Sequence, residues 1–420
     1  MELISARLRL AGLVILTTIA AACTEKLDNS AGCPILCPDQ GGQIETITID
    51  PVSLDSTVSA LTGQGTESSL LLATRGDTLD SRAIIRFDSI PARFSRPGSD
   101  TTTTAITTVD SAFLRLRVDT IGAKIPGPLT LDLYDVNSDA PDSAVVPIAA
   151  LFTPDRLITS ATYEKTALKD TILVAIPSGV ILARKGGPMR IGIRARSTQS
   201  VEVRLLSQEG AGNPSLLSFR VSPDTTIAKV SLTPYSKTPA NQTVLAGSLA
   251  DYTLLVKGSP AGPLSSLNIG GLPARRVYMR FNIPAFLVDS VDVVRATLLL
   301  TQIANPGLDA TDTVSIIPHV SLAATAVTDV AKAAQITALA NTDTLRVQPG
   351  GSGVRSVEVA SVVALWRLQK VEDTPRALVL LSIREGVSPL EARFYSIEAS
   401  PDRRPRLRIS YSARKSTGLP

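Results

Sequence analysis

The chain has 420 residues, 44% of them apolar but only 4% aromatic, and a formal net charge of +4. That length suits about two domains, the apolar fraction excludes disorder throughout, and so small a charge excludes the strongly basic face that nucleic-acid binding requires. One histidine, His319, and three cysteines leave almost no material for a zinc centre, a Cys/His pair or a Ser/His/Asp triad, so the common hydrolytic chemistries are poorly supplied.

The first 22 residues carry Arg7 and Arg9, then the uncharged run Leu10–Ala22, then Cys23. Such a run has the length of a signal-peptide core and is too short to span a bilayer as a helix. The segment resembles a bacterial lipoprotein signal peptide, with Ala20-Ala21-Ala22-Cys23 at the lipobox and Ala20 where that family prefers Leu. The resemblance implies cleavage before Cys23, acylation of its thiol and a mature chain tethered to a membrane. Thr24, standing where an Asp would signal inner-membrane retention, points to the outer membrane. The alternative is an ordinary secretory signal with Cys23 as a passenger thiol. Residues 23–43 read as a tether in which Cys33 and Cys37 lie among Gly32, Pro34, Pro38 and Asp39. An even pair in an oxidising compartment most often forms a local disulfide, while a metal site lacks any accompanying ligand cluster.

From residue 44 onward, short runs of alternating apolar and polar residues are interrupted by Gly, Pro, Asp, Ser and Thr clusters, which is antiparallel β patterning. In Ser111–Asp119, Ala112, Leu114, Leu116 and Val118 share one face and Arg115 and Arg117 the other. Val201, Val203 and Leu205 alternate with Glu202 and Arg204, and Leu407, Ile409 and Tyr411 with Arg406 and Arg408. One dry and one wet face per strand predicts sandwiches of two sheets.

The pattern occurs twice. Arg82–Phe87 aligns with Arg276–Phe281, Asp110–Leu116 with Val294–Leu300, and Pro214–Arg220 with Pro405–Tyr411. The offsets drift by about ten residues, as loop insertions in a duplicated domain would make them do; the Thr-rich stretch Ser99–Thr108 is one such insertion. The expected limits are a first lobe at 44–224, a second at 225–414 and a tail at 415–420. Val357–Lys370, with Val359, Val362, Val363, Leu365 and Trp366 on one side, predicts a single helix in the second lobe. The alanine-rich stretch Ala323–Ala340 fits either a shorter helix or an irregular loop.

Arg276–Phe281, Val291–Leu300, the helix ending in Trp366, and Phe394–Tyr411 follow one another as in the DNRLRE-type module, a jelly-roll sandwich related to alginate-binding carbohydrate-binding modules, and the second lobe resembles that family. The first lobe shows fainter matches, and the whole resembles two-lobed surface lipoproteins of the Bacteroidota. What the resemblance implies is an all-β chain of two jelly-roll-like antiparallel sandwiches, and glycan binding by exposed side chains.

Sugar-binding surfaces need flat apolar platforms, and aromatics are scarce here. Trp366, Phe87, Phe281 and Tyr411 fall on inward faces. Tyr278 is expected to point outward between Arg276 and Arg280, with Arg82 and Arg86 as the corresponding pair in the first lobe; arginine beside tyrosine could grip the carboxylate of an acidic sugar. Solubilising arginines on a wet sheet face are the plainer alternative. Arg403, Arg404, Arg406, Arg408, Arg414 and Lys415 give the C-terminal stretch a basic excess that could attract polyanions. Asp135, Asn137 and Asp139 offer alternating oxygens for a structural calcium ion but lack the glycine and distant glutamate of an EF-hand. No cofactor is expected. Gly350-Gly351-Ser352-Gly353 lacks the lysine of a phosphate-cradling loop, His319 reads as a surface residue at a strand end, and no carboxylate pair stands out as catalytic. The sequence thus predicts a non-enzymatic, lipid-anchored envelope protein that binds an acidic polysaccharide, with a structural surface subunit associating with envelope proteins as one alternative and a polysaccharide-degrading enzyme as another.

Overall fold

The computed structural model describes residues 44–414 except 51, 60–64, 66, 97–102, 211–213, 238–248, 259–261, 264, 306–310, 322–336, 339, 341 and 369–375. The leader, Cys23, Cys33, Cys37, the tail 415–420 and most of Ala323–Ala340 therefore lie outside the described residues.

In chain order the strands are β1 (Ile44–Ile49), β2 (Leu54–Ser59), β3 (Ser69–Arg75), β4 (Leu79–Phe87), β5 (Arg93–Ser95), β6 (Thr103–Ala105), β7 (Ser111–Lys124), β8 (Leu129–Asp135), β9 (Leu157–Tyr163), β10 (Thr171–Ala175), β11 (Met189–Arg196), β12 (Val201–Leu206) and β13 (Leu216–Arg220). They continue as β14 (Val230–Leu232), β15 (Asp251–Lys257), β16 (Ser266–Gly270), β17 (Arg275–Phe281), β18 (Val291–Ile303), β19 (Val314–Ser321), β20 (Thr337–Ala338), β21 (Leu345–Val347), β22 (Gly353–Glu358), β23 (Arg376–Ser382), β24 (Glu391–Tyr395) and β25 (Arg406–Ala413). Short helices occupy Val145–Ala149, Ser178–Arg184, Ala285–Asp289 and Ala360–Leu368.

The protein is mostly β, with two curled antiparallel sheets that form sandwich-like lobes. One sheet runs β14-β13-β7-β12-β3-β4-β11-β8-β9, with β10 on β7 and β15 on β4. The other runs β1-β25-β18-β24-β16-β17-β23-β19-β20, with β22 on β18, β2 on β17 and β21 on β19. In each, a long strand (β7, β18) carries the chain from one layer to the other, and a register shift marks where β12 meets β7 and where β25 meets β18.

The two strand orders superimpose position for position: the repeat read in the sequence pairs β4 with β17, β7 with β18 and β13 with β25, and the strand order adds β3 with β16. The first two strands of each repeat are nevertheless exchanged. β1 pairs with β25 and β2 with β17, whereas β14 pairs with β13 and β15 with β4. The limits 44–224 and 225–414 follow the sequence repeat, but the packing units are β3–β15, continuous in the chain, and β16–β25 closed by β1–β2. A strand edge pairs with a partner of matching register and apolar face, so the alternation by itself does not say which repeat supplies the strand.

Each lobe has its own aliphatic core. Leu70, Leu72, Ile85, Leu114, Leu116, Ile191 and Val203 are among those of the first; Ile269, Val277, Leu298, Val362, Trp366, Leu378 and Leu407 are among those of the second. Each such side chain contributes about 1.5–3 kcal/mol when fully buried. Trp366 is wholly buried against Phe281, with its indole N–H donating to the Ala377 carbonyl at 3.2 Å. The predicted helix around it is shorter than expected: Gly353–Glu358 is strand β22, because Ser356 and Glu358 find ladder partners in Leu299 and Thr297 on β18.

Outer faces are drier than the alternation implies. Glu202 and Arg204 are buried because the second lobe covers them, and Leu272 of that lobe packs on Leu71, Ala73 and Leu79. On the first lobe, the segment around the helix Val145–Ala149 lays Ile148 and Phe152 over Ile84, Tyr134 and Tyr252, a satellite core. Phe152 lies so close that a Cβ on Gly192 would meet its ring at 2.4 Å, which is why β11 carries glycine there. No helix among the described residues is long and apolar enough to cross a membrane.

Candidate functional site

The arginines and tyrosine expected on exposed faces are structural. Tyr278 is only 6% exposed, packed with Val58 and Val379, because β2 from the other repeat lies beside it. Arg276 is held bidentately by Glu385 at 2.6–3.1 Å, and Arg280 is half-buried and engaged. Arg82 and Arg86 are 7% and 9% exposed. Arg82 pairs with Asp80 and stacks 4.4 Å from the Phe152 ring centroid; Arg86 pairs with Asp88 and Asp142. Asp142 also accepts the Tyr252 hydroxyl at 2.8 Å and faces Arg190, so these charges form one buried network beneath the satellite core. The covering segments come from far along the chain, and nothing in the local alternation announces them.

Other sequence-selected residues also have structural partners. Asp135 accepts the Asn137 backbone N–H and pairs with Arg184, so its carboxylate is occupied; Asp139 stands exposed nearby. Among the described residues no group of three or more His, Cys, Asp or Glu side chains is placed to hold a metal ion. In the basic C-terminal stretch, Arg404 pairs with Asp50 and Arg414 with Asp292. His319 lies within β19, half-buried across from Val379, and burial followed by the Arg276 charge lowers its pKa. Gly350–Gly353 forms a turn before β22.

The arrangement that remains open is on the outer face of β10, β7, β13 and β14. There a groove of about 400 Å³ is lined by Phe113, Arg115, Leu173, Arg220 and Lys229, with Ser111, Ser218 and Ser231 between them. β-Pairing sets the spacing: Phe113 stands between Ala175 and Ser218, Arg115 between Leu173 and Leu216, and Ser111 beside Arg220. Phe113 and Leu173 are 41% and 56% exposed. Arg115, Arg220 and Lys229 have no ion-pair partner among the described residues, and Arg115 Nε and Arg220 Nη1 donate to no acceptor there. In almost every other clustered arginine described above, a carboxylate consumes the charge.

The matching face of the second lobe is different. Thr297 takes the place of Phe113 and is buried, and Glu358 reaches across to Arg295 and the Ala296 backbone N–H. Among the described residues, therefore, this face carries an apolar platform flanked by uncompensated cations on the first lobe and not on the second. Sequence reasoning identified Arg115 as outward-facing but passed over Phe113; a phenylalanine on the polar side of a strict alternation was the available signal.

Compared by sequence, the chain matches no family model and no curated protein. Among solved structures it is similar to a protein of Parabacteroides distasonis described as secreted (10% identity, 89% of this chain and all of that one, TM-score 0.22). It is also similar to tandem family 51 carbohydrate-binding modules of a Streptococcus pneumoniae glycoside hydrolase (10% identity, 89% and 100% coverage, TM-score 0.14). A third similarity is to tandem family 22 modules of a Paenibacillus barcinonensis protein (9% identity, 88% and 99% coverage, TM-score 0.14). At these scores the likeness carries no argument about ligand.

Proposed function

We propose that the chain is a non-enzymatic, lipid-anchored envelope protein that binds an acidic polysaccharide in the groove on the first lobe. The observation that carries this is Phe113, an exposed aromatic ring set among Arg115, Arg220 and Lys229 without acid partners. The ring and Leu173 offer an apolar surface to the C–H face of a sugar, and the guanidinium forks match its carboxylate bidentately. The groove is open and runs across four strands, which suits a chain ligand lying along the sheet more than a small molecule enclosed in a pocket.

The anchor is supported by Arg7, Arg9, the apolar run and Cys23, and the outer membrane as its location by Thr24. Two acyl signals or more give stable tethering at about 0.8 kcal/mol per buried methylene. Palmitate labelling lost in Cys23→Ala, with release of soluble protein, supports it; unchanged membrane retention argues against it.

Depletion of the protein on alginate or pectin columns, abolished in Phe113→Ala, tests the binding. Equal retention of the variant, or failure of the parent to bind any polyuronate, counts against the groove. Co-purification with envelope proteins in place of polysaccharide favours the structural-subunit alternative, and release of reducing ends from any polysaccharide overturns the non-enzymatic assignment.

A further inference from the structure

The register of β7 slips against β12 between the pair Asp119–Arg204 and the pair Lys124–Glu202. This irregularity carries the end of β7 out of its regular course and sets Lys124 directly across from Glu202. Cross-strand neighbours of this kind lie within side-chain reach of each other. The partner of Lys124 comes from the other lobe: its Nζ contacts Oδ1 of Asp312, which stands just before β19, where Val314 is held opposite Val347. Lys124, Glu202 and Asp312 together line a cleft of about 670 Å³ between the lobes.

The three side chains differ in their access to water. Those of Asp312 and Glu202 are 3% and 5% exposed, that of Lys124 36%. Burial raises the Glu202 pKa against the opposing charges of Lys124, Arg75, Arg204 and Arg384, so this carboxyl holds a proton more readily than an ordinary glutamate. A dry carboxylate facing an ammonium is also a setting in which a proton passes from nitrogen to oxygen, since burial disfavours both charges. The result is a neutral amine in contact with one carboxylic acid and beside a second.

We propose that Lys124 and Asp312 join in an amide bond that welds the two lobes together, with Glu202 relaying the proton. The lone pair of Lys124 Nζ attacks Asp312 Cγ and the C–N bond forms. Glu202 gives its proton to the departing Asp312 hydroxyl and takes one from Nζ. The C–O bond breaks, one water leaves through the cleft, and Glu202 ends as it began. No oxidant or co-reactant is consumed. Amide formation is ordinarily disfavoured in water, but reactants held in contact behave as though present at about 10⁵–10⁸ M. A bond between residues so far apart in the chain also restricts the unfolded state. The site shares no residue with the groove around Phe113, so either assignment can fail without the other.

Tryptic digestion of the denatured, reduced full chain, followed by mass spectrometry, tests this. The expected product is a branched peptide holding Lys124 and Asp312, lighter than its two arms by one water, with no cleavage after residue 124. Lys124→Arg keeps a cation for the ion pair but no amine to form the bond, and is expected to give both arms at their separate masses. A chain nicked once between the two positions should migrate as one species in denaturing detergent for the parent and as two for this variant. Glu202→Gln is expected to link at least about a hundredfold more slowly in freshly synthesised chain, with part of the rate restored in Glu202→Asp. Cleavage after Lys124 in the parent, with both arms at their separate masses, overturns the bond. Equal rates in Glu202→Gln and the parent overturn the relay.

Discussion

Ile47 stands directly across the β-ladder from Ile409, so the first described strand closes against the last. Counted from Ala112 and Ala296, which face Phe219 and Ile409, the corresponding pair in the other lobe is Val230 and Phe219, one residue out of step with the sequence alignment of Pro214–Arg220 with Pro405–Tyr411. The exchange recurs one strand later, where Ser56 lies across from Tyr278 and Tyr252 across from Ile84. Each repeat thus completes the other's sheet.

The exchange fixes which fragments fold. Residues 67–258 contain β3–β15 complete and are expected to unfold cooperatively on their own. Residues 44–224 follow the sequence repeat but lack β14 and β15, exposing Ile84 and the face that Tyr252 and Leu254 cover; no cooperative transition is expected. Circular dichroism under urea checks both, and a cooperative 44–224 fragment would show that β1 and β2 can replace β14 and β15.

In the groove, Arg115→Gln with Arg220→Gln is expected to weaken polyuronate binding by more than about tenfold, since each removes a charge-assisted contact of about 1.5–3 kcal/mol. The parent's affinity should fall as salt rises and the double variant's much less so. Folding stability should move by only about 0.5 kcal/mol, as for other surface changes. Affinity electrophoresis at two salt concentrations, with denaturant melts alongside, reads all three.

Stability should fall toward alkaline pH. Asp251 opens β15 fully buried, and burial, with the charge of Glu209 next, raises its pKa from 3.8 to about 8. The folded chain therefore holds a proton that the unfolded chain releases. That contribution is complete below about pH 4 and is lost as pH climbs to about 8, at up to about 1.4 kcal/mol per pH unit. Asp251→Asn keeps an acceptor for the Gln208 N–H and removes the charge, so its melting temperature should exceed the parent's at pH 9 while the two converge at pH 5. Parallel melting curves across that range would contradict the assignment.

Asp142→Ala is expected to cost about 3–5 kcal/mol, because it leaves the buried Arg86 and Arg190 guanidiniums and the Tyr252 hydroxyl facing a gap. Urea denaturation measures it. A loss below about 1 kcal/mol would mean that water replaces the carboxylate.

Strand alternation, the duplication, the aliphatic cores and the burial of Trp366 were all legible in the sequence, because a period of two apolar residues dictates which face of a strand is dry whatever its partners. Partner choice was not. Alternation in β2 and β15 suits either sheet, and only the tertiary packing sent each to the opposite repeat. The same cause buried Tyr278, Arg82 and Arg86: their side chains do point outward from the cores, but strands and a helical segment distant in sequence lie over them. Phe113 shows the converse, an outward position in the same pattern that no described segment covers. Local chemistry thus determined the orientation of each side chain, while solvent access depended on long-range contacts that no short stretch of sequence encodes.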